Sequence, residues 1–131
     1  MENIFKPNLF IPGAAKSGTT TLHKLLNLHP DICMSSIKEP IFWNKNALNI
    51  PEKIDWYNSL FNDPYATFFG ESTTSYMYYH SFIDNVKMHY CEDPKFIFIL
   101  RNPIDRCYSH YWWMNGRGQE KKTFKNAVEN D

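Results

Sequence analysis

A chain of 131 residues fits a single domain, and its hydrophobic content of 43% is typical of a globular protein and excludes a disordered tail. The 14 basic residues balance the 14 acidic ones, which argues against nucleic acid or an anionic membrane as a partner but allows a local basic pocket. No stretch reaches the ~18 consecutive apolar residues of a membrane span, and no signal peptide precedes the first predicted strand. Together with cysteines that lack metal-binding spacing, this predicts a cytoplasmic protein.

The first predicted elements are a strand, a helix and a second short strand. Residues 8–11 (NLFI) form an apolar run that ends at a Pro-Gly pair, which is typical of a buried strand. The Gly-Thr-Thr that follows begins a helix, and Leu22, Leu25 and Leu26 have the i, i+3, i+4 spacing of one helix face. Residues 32–35 predict the second strand.

The middle of the chain predicts another helix and a third strand. Residues 55–61 are typical of a short helix, with Trp56, Tyr57 and Leu60 directed inward. Residues 66–70 predict the strand that follows it. The order strand, helix, strand is thus repeated.

The last third of the chain predicts a helix over residues 76–90 and a strand over residues 95–100. That strand is apolar throughout, which is typical of a central strand in a parallel sheet. Asn102 followed by Pro103 is typical of a helix start. Strands that alternate with helices predict an α/β fold, with a mostly parallel sheet flanked by helices as in the P-loop NTPases.

Four polar segments each follow a predicted strand, namely residues 12–20, 38–40, 71–74 and 101–109. Loops that follow parallel strands gather at the carboxyl edge of the sheet, where ligands bind. We therefore expect these segments to line one cleft.

The first segment, PGAAKSGTT at residues 12–20, has the composition of an anion-binding loop. Its small residues let backbone N–H groups turn inward, and the N-terminus of the following helix adds partial positive charge. Lys16 adds a full charge, and the side chains that add hydroxyl donors are Ser17, Thr19 and Thr20. The segment predicts a site for a phosphate or a similar anion.

The loop differs from the P-loop of nucleoside triphosphatases, which has the form GxxxxGKS or GxxxxGKT. Gly13 and Gly18 have the same separation, but Thr19 stands where the lysine belongs, and Lys16 lies two residues before Gly18. A P-loop kinase or NTPase, which needs that lysine and Mg²⁺, is therefore the weaker alternative. On the spacing alone, an ordinary tight turn between strand and helix also stays open.

The loop and the residues LLNLHPDI at 25–32 resemble the 5′-phosphosulfate-binding loop of the sulfotransferase family, in its heparan-sulfate-type carbohydrate and bacterial branches. The resemblance implies that the donor is 3′-phosphoadenylyl sulfate (PAPS) and that Lys16 assists departure of the phosphate. The donor ligands that it implies in this loop are Lys16, Ser17, Gly18, Thr19 and Thr20.

The second segment, within KEPIFW at residues 38–43, resembles the carbohydrate sulfotransferase segment that carries a glutamate general base. Glu39 matches that glutamate, and a base at the acceptor would take its proton as the sulfuryl group arrives. Without the resemblance, a carboxylate beside a proline turn is usually a solvated surface residue. Phe42 and Trp43 are predicted to be core or pocket-wall residues rather than a sugar platform.

Arg101 stands at the end of the last predicted strand, and Ser109 lies about two helical turns past the cap residue Asn102. An arginine at this place can bind phosphate through its fork of donors, and the alternative is a salt-bridged arginine without a ligand. The pattern resembles the family's 3′-phosphate-binding segment, in which a strand-end arginine and a serine eight residues later bind the donor. The resemblance implies that Arg101 and Ser109 are donor ligands.

Residues 70–76 (GESTTSY) resemble the family's stretch between these segments, but Ser72 stands where many carbohydrate sulfotransferases carry lysine. No catalytic residue is therefore predicted in this stretch. Trp112 and Trp113 are predicted to be core residues. Sulfotransferases that act on phenols and steroids use a histidine base. His80, His89 and His110 do not lie in the sequence context of that histidine, so none of them is predicted to be the base.

These observations predict a sulfotransferase that moves a sulfuryl group from PAPS to a hydroxyl or amine of an acceptor, expected to be a carbohydrate, with Lys16 and Glu39 as catalytic residues. No obligate metal is expected, because a sulfuryl group needs less charge neutralisation than a phosphoryl group. The family's later Gly-rich loop is absent, so we expect residues 1–131 to be one domain that is incomplete at its C-terminus. A degenerate nucleotide-binding module without turnover is the alternative from outside the enzymes.

Overall fold

The computed structural model describes residues 4–44 and 46–129, and its strands form one parallel sheet in the order β2-β3-β1-β4. The strands are β1 (Leu9–Gly13), β2 (Ile32–Met34), β3 (Phe68–Ser72) and β4 (Lys95–Phe98). The α-helices in the described ranges are α1 (Thr19–Leu26), α2 (Pro51–Asn58), α3 (His80–His89), α4 (Pro103–Gly116) and α5 (Phe124–Glu129). Short 3₁₀ helices lie at Asn46–Asn49 and Thr74–Met77. The prediction of an α/β fold with a parallel sheet is confirmed.

Strand β1 lies inside the sheet and separates two hydrophobic cores. Successive side chains of a strand point to opposite faces, so Phe10 packs on one side while Leu9 and Ile11 pack on the other. Helix α1 covers the second face through Leu22 and Leu26. The carboxyl end of β1 is therefore held from both sides where the loop to α1 begins.

The core on the Phe10 side is rich in aromatic residues. Phe42 and Trp43 are fully buried there, as predicted, and Phe42 stacks on Tyr57 with ring centroids 4.0 Å apart. The Trp43 indole N–H donates a hydrogen bond of 2.9 Å to the Tyr57 hydroxyl, so its polar atom is satisfied. Full burial of each large side chain stabilises the fold by about 1.5–3 kcal/mol. These two residues anchor the segment that carries Glu39.

Two helix faces differ from the sequence-based prediction. Leu25 is 59% exposed, because the eight residues of α1 cover the core with Leu22 and Leu26 alone. Trp56 is 43% exposed, because α2 begins at Pro51 and directs Ile54 and Tyr57 inward. The inward residues are spaced by four positions in α1 and by three in α2. Leu25 and Trp56 each lie next to one of these inward residues and therefore point away from the core.

Strand β4 lies at the edge of the sheet that the described residues form, whereas its apolar sequence predicted a central strand. Phe98 on this strand is 54% exposed. An apolar run indicates affinity for a buried environment, but it does not specify which strands pair with it. The predicted helix over residues 76–90 is also shorter, since Thr74–Met77 form a 3₁₀ helix and α3 begins at His80. Within the described ranges, no helix is both long and apolar enough to span a membrane.

Candidate active site

A cleft of about 860 Å³ opens at the carboxyl edge of the sheet. Residues from the loop after β1, the segment after β2, the segment after β3, the chain after β4 and the second half of α4 line it together. The four polar segments singled out in the sequence therefore meet at one place, as the parallel strands require.

The loop between β1 and α1 forms one wall of the cleft and is fixed at its base by the chain after β4. The Ala14 N–H donates to the Ile99 carbonyl at 2.8 Å, and the Ile99 N–H donates to the Gly13 carbonyl at 3.0 Å. Gly18 has the left-handed φ of 97° at the N-cap of α1, where glycine is favoured. No described side chain caps this helix, so its first N–H groups are available to an anion.

The predicted donor ligands of the loop do not all face the cleft. The side chains and backbone that line it belong to Lys16, Gly18, Thr19 and Thr20. The Ser17 hydroxyl is instead buried and has no hydrogen-bond partner in the described part of the chain. A buried hydroxyl without a partner costs about 1–3 kcal/mol, and the predicted role of Ser17 as a donor ligand stays a prediction.

Arg101 and Ser109 line the same cleft as the loop. The Arg101 guanidinium reaches the loop itself, because its Nη1 donates to the Lys16 carbonyl at 3.1 Å. Asn102 caps α4 as predicted, with its Oδ1 accepting the Ile104 N–H at 2.9 Å. The cap fixes the start of α4, and Ser109, about two helical turns further on, lies at the cleft.

Glu39 lies in the cleft with both carboxylate oxygens held in place. Lys38 Nζ lies 3.0 Å from Oε1, the Thr74 hydroxyl donates to Oε1 at 3.1 Å, and the Thr74 N–H donates to Oε2 at 2.9 Å. Thr74 belongs to the segment 71–74 that the sequence predicted at the cleft, but its contact with Glu39 was not predicted. The sequence around Thr74 gave little indication of its role, because this chain has Ser72 after Glu71 where many carbohydrate sulfotransferases carry lysine.

Left-handed backbone at residues other than glycine concentrates in this cleft. In the described ranges the positive φ values of non-glycine residues are 64° at Lys16, 59° at Glu39 and 55° at Ile41, and all three residues line the cleft. Such conformations cost of order 1–3 kcal/mol each and are most common at functional sites. The strain therefore marks the loop lysine and the carboxylate as parts of one site.

His23 on α1 connects the end of β3 to the end of β2. Its Nε2 lies 3.1 Å from the Ser35 carbonyl, which can only accept, so Nε2 carries the proton and Nδ1 accepts from the Ser72 hydroxyl at 2.8 Å. Burial lowers the pKa of His23, and the positive charge of Lys38 adds to the shift against the opposing Ser35 hydrogen bond. The Ser72 carbonyl in turn accepts the Glu39 N–H at 2.8 Å. Ser72 therefore connects His23 of α1 to the backbone of Glu39.

The prediction that both tryptophans of α4 belong to the core is wrong. Trp112 is 52% exposed, and Trp113 is 41% exposed and lines the cleft together with His110 and Arg117. Helical spacing by three or four residues places these side chains on the face that also carries Ser109. The His110 Nδ1 is buried without a partner among the described residues.

The charges that line the cleft are mostly positive. Its basic side chains are Lys16, Lys38, Arg101 and Arg117, against the single carboxylate of Glu39. Such a cleft favours anionic ligands. Among the residues that the structure describes, no three His, Cys, Asp or Glu side chains are grouped as metal ligands.

Comparison with known proteins places these features in one family. The family model described as "Sulfotransferase domain" matches residues 6–131. The chain is 31% identical to the bifunctional heparan sulfate N-deacetylase/N-sulfotransferase 1 of Mus musculus over 135 residues, which cover 93% of this chain and 15% of that protein. For the human N-deacetylase/N-sulfotransferase 2, the identity is 31% over 119 residues, covering 86% of this chain and 13% of that protein.

A solved structure is similar over nearly the whole chain. The crystal structure of a sulfotransferase from Alicyclobacillus acidocaldarius matches with a TM-score of 0.81 and 30% identity, over 96% of this chain and 57% of that one. The chain therefore spans only part of the length of its relatives. The matched family model covers all but the first five residues, and the chain belongs to the sulfotransferase family.

Proposed function

We propose that this chain carries the donor-binding and base residues of a PAPS-dependent sulfotransferase that acts on a hydroxyl or amine of a carbohydrate. The observation that carries the proposal is the meeting of Lys16, Arg101, Ser109 and Glu39 in one basic cleft at the uncapped N-terminus of α1. The uncapped N-terminus of α1 fits an anionic donor. The carbohydrate acceptor is proposed from the heparan sulfate enzymes among the relatives.

The donor side of the cleft would stabilise charge on the leaving group. In sulfuryl transfer the bond from sulfur to the acceptor atom forms while the bond from sulfur to the bridging phosphate oxygen breaks, with little covalent help from the protein. Lys16 would neutralise the charge that develops on the departing 5′-phosphate, and the first N–H groups of α1 would bind its oxygens. Arg101 and Ser109 would bind the 3′-phosphate, which fixes the position of the nucleotide.

The acceptor side would remove a proton. Glu39 would accept it from the attacking hydroxyl or amine, and 3′-phosphoadenosine 5′-phosphate (PAP) would leave as the second product. The two bonds from Thr74 and the contact with Lys38 restrict the carboxylate to one orientation. We propose no metal in this reaction, because a sulfuryl group needs less charge neutralisation than a phosphoryl group.

Titration of PAP into the 131-residue chain, followed by assay of transfer from radiolabelled PAPS, tests this function. We expect PAP to bind and Lys16→Ala to reduce transfer by about 10²–10³-fold, the loss typical of one donor that stabilises charge in a transition state. Lys24→Ala is the matched control, because Lys24 is an exposed lysine of α1 outside the cleft. Absence of PAP binding contradicts the proposal, and retention of more than about a tenth of the transfer rate removes Lys16 from the mechanism.

A further inference from the structure

The imidazole of His23 bridges the ends of β2 and β3 from the side of α1. Its Nε2–H donates to the carbonyl of Ser35, the residue after β2, at 3.1 Å, and the hydroxyl of Ser72, the last residue of β3, donates to its Nδ1 at 2.8 Å. Both serines are buried, with 2% and 0% of their surfaces exposed. Water therefore competes little with either bond, and loss of the imidazole would deprive two buried polar groups of these partners.

The turn that carries Glu39 is attached to β3 at both of its ends. At its start the Ser35 N–H donates to the Gly70 carbonyl at 2.7 Å, and at its end the Glu39 N–H donates to the Ser72 carbonyl at 2.8 Å. His23 thus holds the first residue of the turn through Ser35, and it holds the residue that binds the end of the turn through Ser72.

Glu39 has a backbone conformation that depends on such support. Its φ of 59° is left-handed, which is unfavourable for a residue with a side chain and persists only where the surrounding contacts enforce it. The backbone N–H of Glu39 is bound by Ser72, and its carboxylate is bound by Thr74. Both partners lie at the end of β3 or just after it, so the position of Glu39 depends on how this end is fixed. The bond from the Ser72 hydroxyl to His23 fixes it to α1.

His23 is placed to act on the reaction through Glu39 and not on the substrates themselves. Its imidazole does not line the cleft, and its two ring nitrogens are engaged, one as a donor and one as an acceptor. Helix α1 begins at Thr19, which lines the cleft, and His23 lies about one turn further along. The imidazole therefore connects the helix whose N-terminus faces the proposed donor to the turn that carries the proposed base.

We infer that His23 is a positioning residue, which holds Glu39 in its left-handed conformation through Ser35 and Ser72. The inference rests on the proposed function, in which Glu39 is the base, and deepens it by naming the residue that fixes this base relative to the donor helix. Ser72, which stands where many carbohydrate sulfotransferases carry lysine, has its task in this contact.

NMR spectroscopy of the 131-residue chain tests the inference without turnover. The ¹³Cα and ¹³Cβ chemical shifts of Glu39 report its backbone conformation. In His23→Ala we expect them to change from left-handed values to those of a negative φ, because the strain relaxes once the turn is released. His23→Gln offers one donor and one acceptor in a planar amide and should keep the wild-type shifts. Lys16, which is also left-handed but lies in the donor loop, should keep its shifts in both variants.

Ser72→Ala is a second variant that removes only the hydroxyl donating to His23 Nδ1. It should release Glu39 as His23→Ala does, and it decides the question if His23→Ala does not fold. Unchanged Glu39 shifts in a folded His23→Ala or Ser72→Ala overturn the inference. A change at Lys16 as large as that at Glu39 also overturns it, because such a change indicates a general rearrangement of the cleft.

Transfer from PAPS to de-N-sulfated heparin, which offers hydroxyls and free amines, is the second readout. We expect kcat to fall about tenfold or more in His23→Ala and to recover in His23→Gln, at unchanged affinity for PAP. His80→Ala is the matched control and should keep the wild-type kcat, because it removes an exposed histidine that does not line the cleft. A loss of PAP affinity as large as the loss in kcat contradicts a role that acts through Glu39.

The two readouts distinguish failure of the inference from failure of the proposed function. If the wild-type chain neither binds PAP nor transfers sulfate, the proposed function fails, whereas the Glu39 shifts of the variants still support or overturn the role of His23. If Glu39 relaxes in His23→Ala while transfer continues at the wild-type rate, His23 holds Glu39 as inferred, but Glu39 is not the base.

Discussion

The buried carboxyl of Glu71 is expected to make the stability of this chain depend on pH, and one isosteric substitution should remove that dependence. Glu71 lies in β3 with 0% of its surface exposed, next to the Ser72 that joins His23 to Glu39. Neither carboxyl oxygen of Glu71 has a well-formed hydrogen bond among the described residues, so the nearby Tyr76 and Tyr57 offset the cost of burial only in part. Desolvation therefore raises the pKa of Glu71 to about 8.

The sign and size of the effect follow from this shift. The unfolded chain ionises the carboxyl near pH 4.5, whereas the folded chain keeps the proton until about pH 8. Between these values the folded state binds more protons, so the free energy of unfolding falls as pH rises. Over roughly 3.5 pH units at about 1.4 kcal/mol each, the loss amounts to about 5 kcal/mol, a large share of the stability of a small domain.

Urea unfolding of the wild-type chain and of Glu71→Gln at a series of pH values measures this loss. The variant keeps the shape of the side chain but cannot ionise, so its free energy of unfolding should stay flat where that of the wild type falls. The lowered pKa of His23 acts in the opposite direction and only below its ordinary pKa of 6.5, so the slope above that pH isolates Glu71. Parallel slopes in the two proteins would refute the reasoning.

Three further substitutions address the cleft. Arg101→Ala should weaken PAP far more than adenosine 5′-phosphate, since only PAP has a 3′-phosphate; equal losses in calorimetry would make Arg101 a residue of the fold. Glu39→Gln keeps the size of the side chain but cannot take a proton, so turnover should fall by ~10²-fold or more at unchanged PAP affinity. An active Glu39→Gln beside an inactive His110→Ala would instead make His110 the base. Thr74→Val removes the hydroxyl 3.1 Å from Glu39 and keeps the N–H bond, so turnover should fall about tenfold with PAP binding unchanged; undiminished turnover would contradict a positioning role.

Features that depend on neighbouring residues along the chain could be predicted from the sequence. The strand, loop and helix around residues 9–26 are specified by an apolar run, a Pro-Gly pair and a Gly-Thr-Thr helix start. The Asn102 cap of α4 follows from side-chain chemistry within three residues. The convergence of four segments on one cleft followed from a single further rule, that loops after parallel strands share an edge.

Contacts between distant segments could not be predicted in this way. The bonds from Thr74 to Glu39 join residues 35 positions apart, and the bond from His23 to Ser72 joins residues 49 positions apart. Neither pair has a spacing or composition that marks it in the sequence. The bonds from Thr74 to Glu39 form because β2 and β3 are adjacent in the sheet and end at the same edge, and the bond from His23 to Ser72 forms because α1 packs against β3.

The sequence by itself determined the class of the fold and predicted an anion-binding loop, because both depend on local patterns of apolar, small and charged residues. Only the tertiary structure decided that β4 lies at an edge of the described sheet and that Trp113 faces the cleft instead of the core. An apolar residue type specifies a preference for burial, whereas the surface that covers it is set by which elements pack together.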